Sequence, residues 1–164
     1  MDFNLNILET LVYPIVGDIY EVHRELGSGL NEYVYQEGLA MQLEDDGIEY
    51  DREKEFIPTY HNRLMNATYR PDFLCLDSII VECKAVEKLT SEHRAQLFNY
   101  MRLTKKQAGI LVNFASRSAI VERYFYNPQN NEILNFDGIK LTHFADRSIK
   151  ISNNDFTAEK IDNN

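Results

Sequence analysis

The sequence predicts an α/β sandwich in which helices flank a mixed sheet. Apolar residues recur at helical spacing in three segments, whereas the runs between and after them alternate or are apolar throughout, as strands are. The short apolar run "AGILVNF" (108–114) directly follows one of those helices. That placement suits a buried strand pairing parallel with an earlier one through a crossover. Reduced to its core, the order is helix, three strands, helix, strand.

Each element has its own signal. A helix is expected over about residues 5–26, where Leu8, Leu11, Val12, Ile15, Ile19, Val22 and Leu26 share a face. Pro14 predicts a late start or a kink in it. "GSGLN" interrupts the pattern, and a second helix follows from about Leu30 to Asp46, with Gly47 as its stop. Residues 48–60 read as a strand and "HNR" as a turn, while 66–76 and 78–84 read as two further strands about Asp77-Ser78. "LTSEHRAQLFNYMRLT" reads as a helix capped by Thr90 or Ser91. "AIVERYFY" adds a strand after 108–114, and weaker strand signals stand at 131–135 and 139–144. Residues 151–164 read as a loose tail, so one domain is expected over residues 1–150.

Composition narrows the function classes. No run of about 20 apolar residues is present, so no transmembrane helix is expected. The opening "MDFNLNILET" lacks the basic flank and apolar core of a secretion signal, and the expected location is cytoplasmic. Cys75 and Cys83 are then expected to be reduced and packed. A net charge of −9 argues against a general nucleic-acid coating protein. The charge is unevenly spread, however. Glu32 to Glu55 holds nine acids against Arg52 and Lys54, whereas Glu87 to Lys106 holds two acids against five basic residues. A polyanion would approach the second stretch.

Charged residues inside the predicted sheet carry the chemistry. In a strand, Glu82 and Lys84 share one face while Val81, Cys83 and Ala85 pack inward from the other. Asp72 lies on the preceding strand. An odd-length loop or bulge near Asp77 would set Asp72 beside Glu82; a strict two-residue loop would set them on opposite faces. Two carboxylates that close repel unless a cation lies between them. Their oxygens, with the Cys83 carbonyl and waters, suit Mg²⁺ or Mn²⁺. Lys84 could then orient a water or stabilise charge on a phosphate. A surface aspartate beside a cross-strand Glu–Lys pair would give the same spacing.

Two helices add candidates. Glu32 ends a stripe that continues through Tyr35 or Gln36, Leu39 and Leu43, and could point an acid at the sheet; Glu37 is its substitute on another side of the helix. His93, Gln96 and Tyr100 form a stripe on the later helix, which could equally be a polar rim beside Leu97 and Met101.

Taken together, "GLNEYVY", "RPDF", "IIVECKA" and "HRAQLFNY" resemble the GxxExxY protein family of the PD-(D/E)xK nuclease-like superfamily. Gly29, Glu32 and Tyr35 match its naming motif, and the similarity runs from about Val12 to Phe114. The resemblance implies a restriction-endonuclease-like αβββαβ core, here with an extra N-terminal helix and C-terminal strands. It implies an active site of Asp72, Glu82 and Lys84 with Glu32 as the helical acid. Gln96 and Tyr100 match a Gln-x-x-x-Tyr element that positions nucleic acid. The implied activity is Mg²⁺- or Mn²⁺-dependent phosphodiester hydrolysis, with DNA as the expected partner, no membrane partner, and self-association left open. The competing class is a nucleic-acid- or protein-binding module that keeps the fold without catalysis. A third reading, a small-molecule enzyme using His23 or His93 as base, lacks any serine or cysteine nucleophile motif.

Overall fold

Asn4 opens the chain's first helix in the computed structural model, which describes residues 2–143 and 158–159; its side chain accepts the Ile7 N–H at 3.2 Å. Helix α1 (Leu5–Leu26) continues through Pro14, so the expected late start is not seen. Pro14 and Thr10 are both exposed, and water can satisfy the Thr10 carbonyl that the proline leaves without its usual donor. Helix α2 (Glu32–Asp45) is capped by Asn31, whose side chain accepts the Val34 N–H at 3.2 Å. It ends as the sequence predicts. Gly47 takes a left-handed φ of 68°, and the Gly47 and Ile48 N–H groups return to Glu44 and Leu43 carbonyls at 3.1 and 2.8 Å.

Strands β1 (Tyr50–Arg52), β2 (Thr59–Tyr60), β3 (Arg63–Leu64), β4 (Phe73–Cys75) and β5 (Ile79–Lys84) follow. Helix α3 (Ser91–Thr104) leads into β6 (Ala108–Asn113), β7 (Ile120–Asn127), β8 (Glu132–Asn135) and β9 (Lys140–His143). Seven of these strands form one mixed sheet in the order β1-β4-β5-β6-β7-β8-β9, and the two-residue β10 (Ala158–Glu159) extends it beside β9. Only β5 and β6 run parallel, joined by the α3 crossover; every other neighbouring pair is antiparallel. This is the expected αβββαβ core with an added helix before it and strands after it. Apart from β10, the expected tail lies outside the described residues.

Two expected strands are shorter than predicted. The run 48–60 breaks after Arg52, where Glu53 adopts a left-handed φ of 48°, and Thr59–Leu64 folds back as a separate hairpin. The run 66–76 contributes only Phe73–Cys75. Asn66 to Thr68 have no buried face, Tyr69 makes one bridge to Phe56, and Pro71 has no N–H for the ladder.

The sheet divides the core into two layers. α1 and α2 cover one face, with Val81, Cys83, Ile110 and Val112 facing them. α3 covers the other, against Leu74, Ile80 and Leu111. Gly109 lets α3 approach: a Cβ there would come within 2.5 Å of Met101 Sδ and 2.9 Å of Leu97 Cδ1. Both cysteines are free and buried, as expected, and burial pushes the Cys75 thiol up to about 12. No helix among the described residues is long and apolar enough to cross a membrane.

One buried charge belongs to the fold. Asp18 on α1 is 5 % exposed, and its Oδ2 has no hydrogen-bond partner among the described residues. Burial, then hydrogen bonding to and repulsion from the Asp46 carboxyl, raise its pKa to about 7. A carboxyl raised in this way holds its proton in the folded state and releases it sooner when unfolded. Its contribution is therefore fully present below the unfolded value of 3.8 and is lost as pH rises through about 7. Asp18→Asn keeps a donor for Asp46 and removes that loss, which is bounded at about 4 kcal/mol by the size of the shift. Urea unfolding should find the variant more stable than wild type at pH 8, with the gap closing by pH 4. A gap independent of pH would contradict this account of Asp18.

Candidate active site

The β4–β5 connection sets the site. Cys75 pairs with Ile79, Leu74 with Ile80 and Phe73 with Val81, so the loop is the three residues Leu76, Asp77 and Ser78. Leu76 and Asp77 take left-handed φ values of 51° and 49°, and the Ser78 N–H donates to the Cys75 carbonyl at 3.0 Å. An odd loop of this kind extends the register to set Asp72 opposite Glu82. Hydrogen bonds across the pair agree with it. The Cys83 N–H donates to Asp72 Oδ2 at 2.7 Å, and the Asp72 N–H donates to Glu82 Oε1 at 3.2 Å. Each carboxylate thus spends one oxygen on backbone and keeps another.

Leu74 and Ile80 lie two residues from Asp72 and Glu82 and so share a face with them and with Lys84, which puts the charged trio on the α3 side of the sheet. Glu82 is 3 % exposed. Burial raises the pKa of both carboxyls; the Asp72 charge raises Glu82 further and the Glu32 charge raises both, while the backbone N–H donors and the Lys84 ammonium oppose the rise. A buried Glu82 beside a half-buried Asp72 is a pairing that a cation between them would stabilise. The described residues hold no cluster of three or more His, Cys, Asp or Glu side chains already gathered around an ion position. Mg²⁺ does not require one, because it keeps several waters and is commonly held by one or two carboxylates. The free oxygens of Asp72 and Glu82 and the Cys83 carbonyl make an oxygen donor set that fits such an ion. The Cys83 thiol is no part of it: it packs in the opposite layer, and burial holds its pKa far above the ordinary range.

The naming motif places the helical acid. Gly29 takes a φ of 93°, and Tyr35, fully buried, donates its hydroxyl proton to the Gly27 carbonyl at 2.6 Å and accepts the Leu30 N–H at 3.3 Å. Its ring stacks on Phe114 at 4.6 Å and 5°. The loop before α2 is thereby tied to the core, and Glu32, the first residue of α2, lies near enough to raise the pKa of both Asp72 and Glu82. Gln36 Nε2 donates to Glu32 Oε1 at 3.4 Å. Glu37, the substitute, is ion-paired with Arg52 instead. Glu32→Gln should therefore reduce the activity of this site by about 10-fold or more, and Glu37→Gln should not. Comparison of kcat/KM for the two variants checks it; equal losses would remove Glu32 from the site.

On α3, Tyr100 is nearly buried, and the Glu82 and Asp72 charges contribute, after burial, to raising its pKa. The exposed Gln96 donates to its hydroxyl at 3.4 Å. The structure thus brings Tyr100, and Gln96 through it, to the carboxylates. His93 has another task. Its Nδ1 accepts the Thr90 N–H at 3.1 Å while its own N–H donates to the Thr90 hydroxyl at 3.3 Å, closing the capping box of α3. Burial, then Lys84, lowers its pKa. His23 Nε2 bonds the Ser116 carbonyl at 2.9 Å, fixing α1 to the loop after β6.

Sequence reasoning missed Asn113. Fully buried at the end of β6, it accepts the Val86 and Ala115 N–H groups at 3.1 and 3.2 Å and donates to the Val86 carbonyl at 2.8 Å. The Phe114 N–H donates to the Lys84 carbonyl at 2.8 Å. Together they fix the chain on either side of Lys84's strand end. A lone amide within "GILVNF" was the available signal. The expected basic approach is also partly consumed: Arg94 makes a two-pronged bond to Glu122 at 2.6 and 2.7 Å, and Lys106 pairs with Asp77 at 3.0 Å.

A mixed sheet flanked by helices thus sets Pro71-Asp72, just before one strand, across from Glu82-Cys83-Lys84 on the next. A model of the PD-(D/E)XK nuclease superfamily matches residues 9–124, which is most of the chain. The chain belongs to that superfamily. No curated protein and no solved structure matches it. Members of the superfamily are nucleases that generally use divalent metal ions.

Proposed function

We propose that this protein is a Mg²⁺- or Mn²⁺-dependent nuclease that cleaves DNA, with Asp72, Glu82 and the Cys83 carbonyl as metal ligands and Glu32 as the further acid. The observation that carries the reading is the adjacent Asp72–Glu82 pair, whose charges are offset by one backbone N–H each and by the Lys84 ammonium. When bound, the ion would supply Lewis-acid polarisation of a phosphate oxygen and a more acidic water. The chain's own groups do the rest. In this reading the Lys84 ammonium orients the attacking water and stabilises the negative charge that grows on the phosphate as the P–O bond breaks. Tyr100, steadied by Gln96, holds the substrate strand against the site. The Gly29, Glu32 and Tyr35 arrangement further supports membership in the GxxExxY group within the superfamily, and residues 1–150 are proposed as one nuclease domain.

The test is incubation of circular single-stranded DNA, supercoiled DNA, linear DNA and RNA with the protein in Mg²⁺, in Mn²⁺ and in chelator. DNA should be cut in metal and spared in chelator. The net charge of −9 favours a second reading, a fold-retaining binding module. That module would bind without cutting any substrate in either metal.

A further inference from the structure

We propose that the hairpin formed by β2 and β3 is the platform on which the substrate strand lies, and that it takes single-stranded nucleic acid by base stacking. The proposal rests on the nuclease reading for its substrate class, and on separate observations for its location.

In a chain of net charge −9, the run from Phe56 to Pro71 contains no acid; it carries Arg63, Arg70, His61 and two tyrosines. Arg70 is paired with Glu55 at 2.6 Å, so Arg63 is the cation near the tip. The tip is a tight turn in which His61 and Asn62 both have left-handed φ, 49° and 59°. This geometry presents the Tyr60 and His61 rings together, 4.2 Å apart at 36°. Tyr60 is 62 % exposed and Leu64 73 % exposed, and a two-stranded hairpin with no core beneath it gains little from such residues. Flat rings next to a cation, in a run that carries no acid, suit the faces of unpaired bases and the phosphates between them. A duplex offers fewer such faces, because its bases are already stacked.

The root of the hairpin joins it to the site. Phe56 and Tyr69 exchange backbone hydrogen bonds of 2.8 Å in each direction. The Tyr69 ring meets the Tyr100 ring edge-on at 5.6 Å and 84°, and Tyr100 borders the carboxylates. Ten residue steps lead from Asn62 at the tip to Asp72, so the tip lies within about 36 Å of the site. In the basic stretch around α3, Arg94 and Lys106 are already ion-paired.

The experiment measures fluorescence anisotropy of labelled thymidine and uridine oligonucleotides and of a matched duplex. It uses full-length Lys84→Ala protein in Mg²⁺ to prevent cutting. Tyr60→Ala should weaken single-strand binding about 10-fold, with unchanged melting temperature. Tyr60→Phe, which keeps the ring, should restore it. Arg63→Ala should reduce the slope of log affinity against log salt by about 0.7. The two oligonucleotides separate DNA from RNA as the strand held. Unchanged single-strand affinity in both Tyr60→Ala and Arg63→Ala would overturn the platform, as would assembly of the protein with itself that needs Tyr60 while no oligonucleotide binds. The two readings fail separately: wild-type protein that cuts DNA with no Tyr60 dependence of binding removes the platform alone. Tyr60-dependent binding by a protein that never cuts removes the nuclease and leaves the platform.

Discussion

Glu82→Gln and Asp72→Asn should abolish metal binding yet make the metal-free protein at least as stable as wild type. Both effects follow from one arrangement. The two carboxyls lie side by side; burial raises both, and the Asp72 charge raises Glu82 further. Neutralising one removes that repulsion, while the amide oxygen can still accept the backbone N–H: Cys83 N–H in Asp72→Asn, Asp72 N–H in Glu82→Gln. The fold therefore loses little. The oxygen donor set loses a charge, and affinity for Mn²⁺ should fall by well over about 10-fold, the smaller effect typical of changes one layer further out. Thermal melting reads both. Wild type should gain stability with saturating Mn²⁺, about 2.7 kcal/mol at 100 times the dissociation constant, and the variants should gain none. Variants that melt well below wild type in chelator would show that the pair is a structural device instead.

Lys84→Ala should separate binding from chemistry. Lys84 ends β5, where the Phe114 N–H holds its carbonyl and Asn113 holds Val86, so the backbone does not depend on the side chain. Its ammonium is the cation that counters the carboxyl pair, and removing it should leave Mn²⁺ binding within a few-fold of wild type. The charge developing on the phosphate would then lose its partner, and kcat should fall by about 10² to 10³. A variant that loses metal affinity as severely as turnover would assign Lys84 to the ion and not to the phosphate.

Much of this was legible in the sequence, for identifiable reasons. The helices were, because α1 buries a long apolar stripe, α3 opens with a capping threonine, and α2 is followed by a glycine in the left-handed conformation that stops helices. The parallel pairing of β5 with β6 was legible because an apolar run followed a helix. The facing of Asp72 and Glu82 hung on loop length, which composition does not give; left-handed Leu76 and Asp77 decide it, and neither residue type advertises that conformation. The Thr59–Leu64 hairpin was hidden because its strands are two residues each and wholly exposed, leaving no periodicity to read. Asn113 and the Tyr35 latch were hidden because their hydrogen bonds join segments far apart in sequence or loops of irregular backbone.

The most direct test of the central claim, that the Asp72–Glu82 pair holds the ion used to cut a phosphodiester, is a comparison of supercoiled-DNA nicking by wild type and Glu82→Gln. The two proteins are purified in parallel and assayed in Mn²⁺ and in chelator. The account predicts nicking by wild type in Mn²⁺ alone and none by Glu82→Gln in either condition. Equal nicking by the two proteins, or nicking that persists in chelator, would contradict it.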